Sequence, residues 1–116
     1  MITLYGIPNC DTVRKARRWL DTQGIAYRFH DFRKDGLDEG QLRAWVANLG
    51  WEALLNRSGT TWRSAPEAVK SGIDAASAIA FMLQAPAAIK RPILDTGGER
   101  VVGFSESRYQ SLFGRR

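Results

Sequence analysis

The sequence holds one cysteine and one histidine in 116 residues. A single thiol excludes an internal disulfide and any all-cysteine metal site. With one histidine, a conventional zinc cluster is excluded as well, and no metal or bound cofactor is expected. Long hydrophobic runs are missing, and no apolar stretch approaches the roughly 20 residues of a membrane span. The N-terminus has neither the charged start nor the apolar stretch of a signal peptide, so the expected compartment is a reducing cytoplasm. Internal repeats and low-complexity segments are also missing. Basic residues outnumber acidic ones by 17 to 12, a formal net charge of +5. They are spread along the chain as far as Arg115 and Arg116, and no nucleic-acid-binding motif accompanies them. Direct nucleic-acid contact is therefore not expected. An anionic small substrate or an acidic protein partner accounts for the charge near Cys10.

What is present is concentrated in the first twenty residues. Ile2 to Tyr5 is apolar and partly β-branched, which suits a buried strand. Gly6 and Pro8 break it. Asn9 is a candidate helix cap, and a helix is expected from about Cys10 to Thr22. Val13, Ala16 and Leu20 share one face, flanked by Arg14, Lys15, Arg17 and Arg18. Gly24 is the expected stop. Cys10 is thereby set at the mouth of a helix, where unpaired N–H groups and the positive end of the dipole favour thiolate over thiol. The Thr12 hydroxyl is close enough in sequence to donate to the sulfur. Arg14 and Lys15 add positive potential, and Asp11 opposes it. Most lone cysteines are small buried apolar residues; the strand–loop–helix setting favours a reactive one.

Ile25 to Phe32 alternates as a half-buried strand, which makes a parallel β-α-β unit with a right-handed crossover. His30 falls on its polar face and reads as a surface imidazole. Asp38 and Gln41 form an approximate capping box for a helix carrying Leu42, Trp45, Val46 and Leu49 and ended by Gly50. Trp51 to Leu55 suggests a further helical turn. Residues 56–63 read as a polar loop, and Ser64 or Ala65 as the start of a short helix ended at Gly72. Asp74 caps a helix over Ala75 to Gln84, closed by Pro86. The segment from about 38 to 85 thus reads as a helical insertion within one domain covering 1–116. A strand begins after Pro92, residues 96–99 make a hairpin turn, and Arg100 to Gly103 pairs back antiparallel. Ser105 caps a last helix with Tyr109, Leu112 and Phe113 as its buried stripe.

This order suits an α/β, thioredoxin-like (glutaredoxin-like) fold with a mixed sheet and an inserted helical subdomain. Four stretches go further: Tyr5-Gly-Ile-Pro-Asn-Cys10-Asp-Thr-Val-Arg-Lys-Ala, Asn56-Arg-Ser-Gly-Thr-Thr-Trp62, Ile89-Lys-Arg-Pro-Ile-Leu94 and Val102-Gly-Phe-Ser-Glu106. Together they resemble the arsenate reductase (ArsC) family, which also holds the Spx-type transcription regulators, and most of all its YffB-type branch. The resemblance implies that Cys10 is the catalytic cysteine and that Pro92 is a cis-proline beside it. It further implies that Arg91 aims its guanidinium at the sulfur and at a bound oxyanion, a task suited to a fork that stays charged. Arsenate reductases carry another arginine in the central loop, near Asn56 or Arg57, and one where this chain has Gly103. Asn9, Thr12, Lys15, Arg57 and Pro92 are the candidate substrate-binding positions. Where many Spx-type sensors have a second cysteine, this chain has Val13.

The resulting expectation is a cytoplasmic monothiol reductase in which Cys10 attacks as thiolate and external glutathione, whose carboxylates fit the basic surroundings, resolves the intermediate. Arsenate is expected to be a poor substrate. The alternative is an Spx-like regulator that docks on RNA polymerase without turnover.

Overall fold

The computed structural model describes residues 1–114; the basic pair Arg115 and Arg116 lies outside the described residues. The elements run β1 (Thr3–Gly6), α1 (Asp11–Thr22), β2 (Arg28–Asp31), α2 (Glu39–Leu49), α3 (Trp51–Leu54) and α4 (Thr60–Arg63). They continue with α5 (Glu67–Ser71), α6 (Ala75–Gln84), a 3-10 turn (Pro86–Ala88), β3 (Ile93–Asp95), β4 (Arg100–Val102) and α7 (Glu106–Phe113). Two compact units result: Met1–Asp35 together with the residues from Arg91 onward, and Gly36–Lys90.

The first unit carries a four-stranded mixed sheet in the order β2-β1-β3-β4. β1 pairs parallel with β2 and antiparallel with β3, so Leu4 lies beside Phe29 on one side and Leu94 on the other. That is the thioredoxin-like arrangement expected from the element order. Alternation along β1 buries Leu4 and leaves Thr3 and Tyr5 half-buried. The buried cluster joins Ile2, Leu4 and Leu94 of the sheet to Ala16 and Leu20 of α1 and to Tyr109 and Leu112 of α7. α1 ends as expected, with Gly24 in the left-handed region at φ 68° and the Ile25 N–H returning to the Leu20 carbonyl at 3.0 Å.

β2 is shorter than the alternating pattern, because only Arg28 to Asp31 pair with β1; Ile25 to Tyr27 approach without strand hydrogen bonds. α1 grips this approach through Arg17, whose Nε donates to the Tyr27 hydroxyl at 3.2 Å. The Arg17 guanidinium also stands 4.1 Å over the Phe29 ring. His30 is half-buried, its ring 5.0 Å from Tyr5, so it is not the surface imidazole its polar face suggested.

The second unit is helical apart from one isolated bridge between Leu55 and Ile89. Leu42 and Trp45 of α2, Leu54 of α3, and Ala78 and Met82 of α6 are fully buried. Asp38 accepts from the Gln41 N–H at 2.8 Å, and Asp74 and Ser77 form a complete capping box. Two expectations shift. The polar loop at 56–63 contains the helical turn α4, whose Trp62 packs edge-on against Phe81 at 5.6 Å. α5 starts at Glu67 with Pro66 as its cap, not at Ser64 or Ala65, because proline holds the extended entry (ψ 144°) outside the helix.

Candidate active site

Gly6 ends β1 where α1 comes down on the sheet. A Cβ at Gly6 would stand 2.8 Å from Cγ2 of Val13, closer than real carbon contacts allow, so glycine is what lets the first turn of α1 settle there. Ile7 is buried, Pro8 and Asn9 are exposed, and Cys10 is half-buried. The cap of α1 is Cys10 itself, with extended backbone (φ −103°, ψ 128°), and its carbonyl accepts from the Arg14 N–H at 2.9 Å. Asn9 is therefore not the cap but the exposed residue before it. The displacement by one residue puts the sulfur, and not an amide, opposite the unpaired N–H groups of the first turn.

Opposing influences set the acidity of Cys10. Burial pushes its pKa up. The Val13 amide, the Arg91 guanidinium that hydrogen-bonds the sulfur, and the Thr12 amide pull it down, and the net shift is downward from the ordinary thiol value. No hydrogen bond of full capping geometry reaches the sulfur from the helix, so the two amides act on it as oriented dipoles at somewhat longer range. Thr12 contributes through its backbone N–H, in place of the hydroxyl expected to donate. Arg14 is engaged by Asp11 in an exposed ion pair.

Arg91 is half-buried, with its Nε enclosed. The Arg91–Pro92 peptide is cis and Pro92 is buried. The Pro92 carbonyl accepts from the Gly103 N–H at 2.8 Å, and Gly103 has φ 81°, in the region that favours glycine. Cys10, Thr12, Arg91 and Pro92 thus share one neighbourhood. Lys15 is exposed and lines a groove farther along α1. Arg57 belongs to the second unit, where its guanidinium stands 5.7 Å from the centre of the Trp51 ring. Sequence reasoning missed the Val13 amide, although a cap position two or three residues upstream predicts it. It also missed the Gly103–Pro92 hydrogen bond, for which no signal exists in residue type alone. The arrangement can hold a thiolate beside a fixed cation, which is what nucleophilic exchange at sulfur requires.

The ArsC family profile matches residues 5–112. A YffB protein of solved structure superposes with a TM-score of 0.92 at 49% identity, over 96% of this chain and 97% of that one. An arsenate reductase (ArsC) related protein from Brucella melitensis gives 0.79 at 50% identity, over 97% and 93%. The global transcriptional regulator Spx of Streptococcus agalactiae is 25% identical over 99% of this chain and 85% of its own length.

Proposed function

Because the chain belongs to the ArsC family, we propose that it is a glutathione-dependent monothiol reductase with Cys10 as its nucleophile. The observation that carries this reading is the hydrogen bond from the Arg91 guanidinium to the Cys10 sulfur, which favours the thiolate against the effect of burial. The Cys10 thiolate attacks the glutathione sulfur of a mixed disulfide, the old S–S bond breaks, and the other thiolate leaves with the electron pair and takes a proton from solvent. Cys10 is then joined to glutathione. The sequence holds no second cysteine to resolve this adduct, so a second glutathione thiolate attacks its glutathione sulfur. Glutathione disulfide leaves and the Cys10 thiolate is restored. The net reaction consumes one mixed disulfide and one glutathione and yields one free thiol and one glutathione disulfide.

In this reading Arg91 holds the thiolate and a carboxylate or oxyanion of the incoming ligand. Asn9 and Thr12 line the approach, Pro92 forms its wall, and Lys15 supplies positive charge for the anionic substrate. No described helix is long and apolar enough to cross a membrane, and the cytoplasm supplies the reduced glutathione that the cycle needs.

The test is mass spectrometry of protein incubated with glutathione disulfide, together with turnover in an assay coupled to glutathione reductase. One glutathione adduct on wild type, none on Cys10→Ser, and ping-pong kinetics are expected. An adduct-free wild type would overturn the reading. A second reading, an Spx-like regulator that binds RNA polymerase without turnover, is favoured by the likeness to Spx over nearly the whole chain. Retention of polymerase by the immobilised protein, equal in wild type and Cys10→Ser and without any turnover, would replace the first reading with the second.

A further inference from the structure

Beyond Cys10, the exposed side of α1 leads into a groove of about 310 Å3. Lys15, Arg18, Trp19 and Thr22 form one wall, and Phe104 and Glu106 form the other. Trp19 also borders a second hollow of about 320 Å3, completed by Ile25 and Phe113 among others. The two hollows share Trp19 and Gln23 as a common border, which makes a trough in two parts. Trp19, Phe104 and Phe113 are half-exposed, and each packs on the buried Tyr109 ring, at 5.7, 4.7 and 6.4 Å between centroids. The apolar floor is therefore fixed from beneath.

The charge in the trough is unbalanced. Arg14, one turn earlier, is paired with Asp11. Lys15 and Arg18 are exposed and make no ion pair with any described residue. They stand three residues apart on the helix, where like charges repel. Against these two cations the walls offer one carboxylate, Glu106. An anion on the α1 side relieves the repulsion, while Glu106 disfavours a second anion on the opposite wall.

Both walls lead back to the reactive cysteine. α1 begins at Cys10, and Phe104 follows Gly103, whose N–H is bonded to the Pro92 carbonyl. At 1.5 Å per residue, Lys15 to Thr22 spans roughly 10 Å, about three residues of extended chain. A trough of this length, cationic at the end nearer Cys10 and aromatic beyond, is longer than a small thiol needs.

We propose that this trough docks an extended acidic-then-apolar segment of a protein whose own cysteine carries the glutathione disulfide presented to Cys10. The proposal rests on the exchange reading above and narrows its substrate to a protein. Acidic side chains lie against Lys15 and Arg18, and an apolar or aromatic side chain lies against Trp19 and Phe113.

The test separates docking from exchange. A fluorescent peptide of pattern Glu-Asp-Phe-Leu, without any thiol, is titrated into Cys10→Ser protein and followed by anisotropy. Arg18→Glu is expected to weaken binding by about tenfold and Thr22→Arg to strengthen it, as removal and addition of one close charge pair. The pattern Lys-Lys-Phe-Leu should bind Arg18→Glu better than the unreversed protein. In the wild-type background, Arg18→Glu should raise KM for the glutathione mixed disulfide of the acidic peptide by about tenfold while leaving turnover of hydroxyethyl–glutathione disulfide unchanged. Unchanged peptide affinity in Arg18→Glu overturns the docking surface. So does binding of oligodeoxythymidylate as tight as the peptide's, or self-association of the chain that Arg18→Glu abolishes, since nucleic acid or a second copy would then be the occupant. Absence of turnover on the small disulfide, with peptide binding as expected, overturns the exchange step and leaves the groove as a docking surface alone.

Discussion

Replacing Gly6 by alanine tests how the strand end positions the loop that carries Cys10. The new methyl would stand 2.8 Å from Cγ2 and 3.4 Å from Cγ1 of Val13, a side chain with no exposed surface. Neither atom can swing away, because Val13 is β-branched and enclosed, so α1 must rise by several tenths of an ångström. Overpacking of this kind costs about 1–3 kcal/mol, offset by about 0.4–1 kcal/mol from the stiffer unfolded chain. The expected net loss is about 1–2 kcal/mol. Val13→Ala removes two buried methyl groups and costs about 2 kcal/mol by itself, from lost burial and the small cavity left. In the double variant the added methyl occupies the space the valine vacated, so the two losses do not add. A favourable coupling of about 1–2 kcal/mol is expected from urea titrations of the four proteins. The pH midpoint of Cys10 alkylation supplies a second readout, since a raised α1 moves the Val13 and Thr12 amides relative to the sulfur. It should shift in Gly6→Ala and return toward wild type in the double variant. Additivity within about 0.5 kcal/mol would show that the contact does not set the position of α1.

Further outcomes follow from the same geometry. Iodoacetamide alkylation of Cys10 should have its pH midpoint below that of an unperturbed thiol, and Arg91→Ala should move it upward; an unmoved midpoint removes Arg91 from the sulfur. Because the folded pKa is depressed, the thiolate contributes stability that is full above the unfolded thiol pKa and lost as pH falls through the folded pKa. Denaturation across that interval should show this dependence in wild type and not in Cys10→Ser. Tyr109 is fully buried and its hydroxyl has no hydrogen-bond partner among the described residues, so Tyr109→Phe should raise stability by about 1 kcal/mol in urea titrations; a loss of that size would reveal a partner. Arsenate reduction should be weak, and Gly103→Arg should lower stability by about 1–2 kcal/mol because φ 81° is unfavourable to any side chain; a stability equal to wild type would mean that the loop relaxes.

The strand–loop–helix around Cys10 was legible because strong local signals agree there: a β-branched run, two breakers, an amphipathic helix and a glycine stop. The identity of the cap was not, since Asn9 and Cys10 are adjacent and residue preference favours asparagine. Packing decided it, through the seating of Val13 on Gly6. β2 was overextended because the alternation of Ile25, Tyr27 and Phe29 reports burial, and burial continues past the last ladder hydrogen bond. The closeness of Arg91 to Cys10 came from family resemblance alone; no local pattern joins positions so distant in the chain. α4 was hidden because Thr60 and Thr61 are poor helix formers, and the burial of Trp62 overrides them. The trough along α1 was invisible for a similar reason: Trp19 departs from the stripe of Val13, Ala16 and Leu20, and only the arrival of Phe104 and α7 gives it neighbours.

The order in which the chain leaves the ribosome adds a consequence. Cys10 is synthesised well before β3, which lies beside β1 in the sheet, and before Arg91, whose guanidinium stands beside the sulfur. At about 5–20 residues per second, roughly ten seconds separate the two. During that interval the nascent cysteine has no guanidinium beside it, and the part of its acidity that comes from Arg91 is missing. The full acidity of Cys10 therefore waits for the segment that carries Arg91, so its tendency to exchange with disulfides rises only after that segment has been made and has folded onto β1.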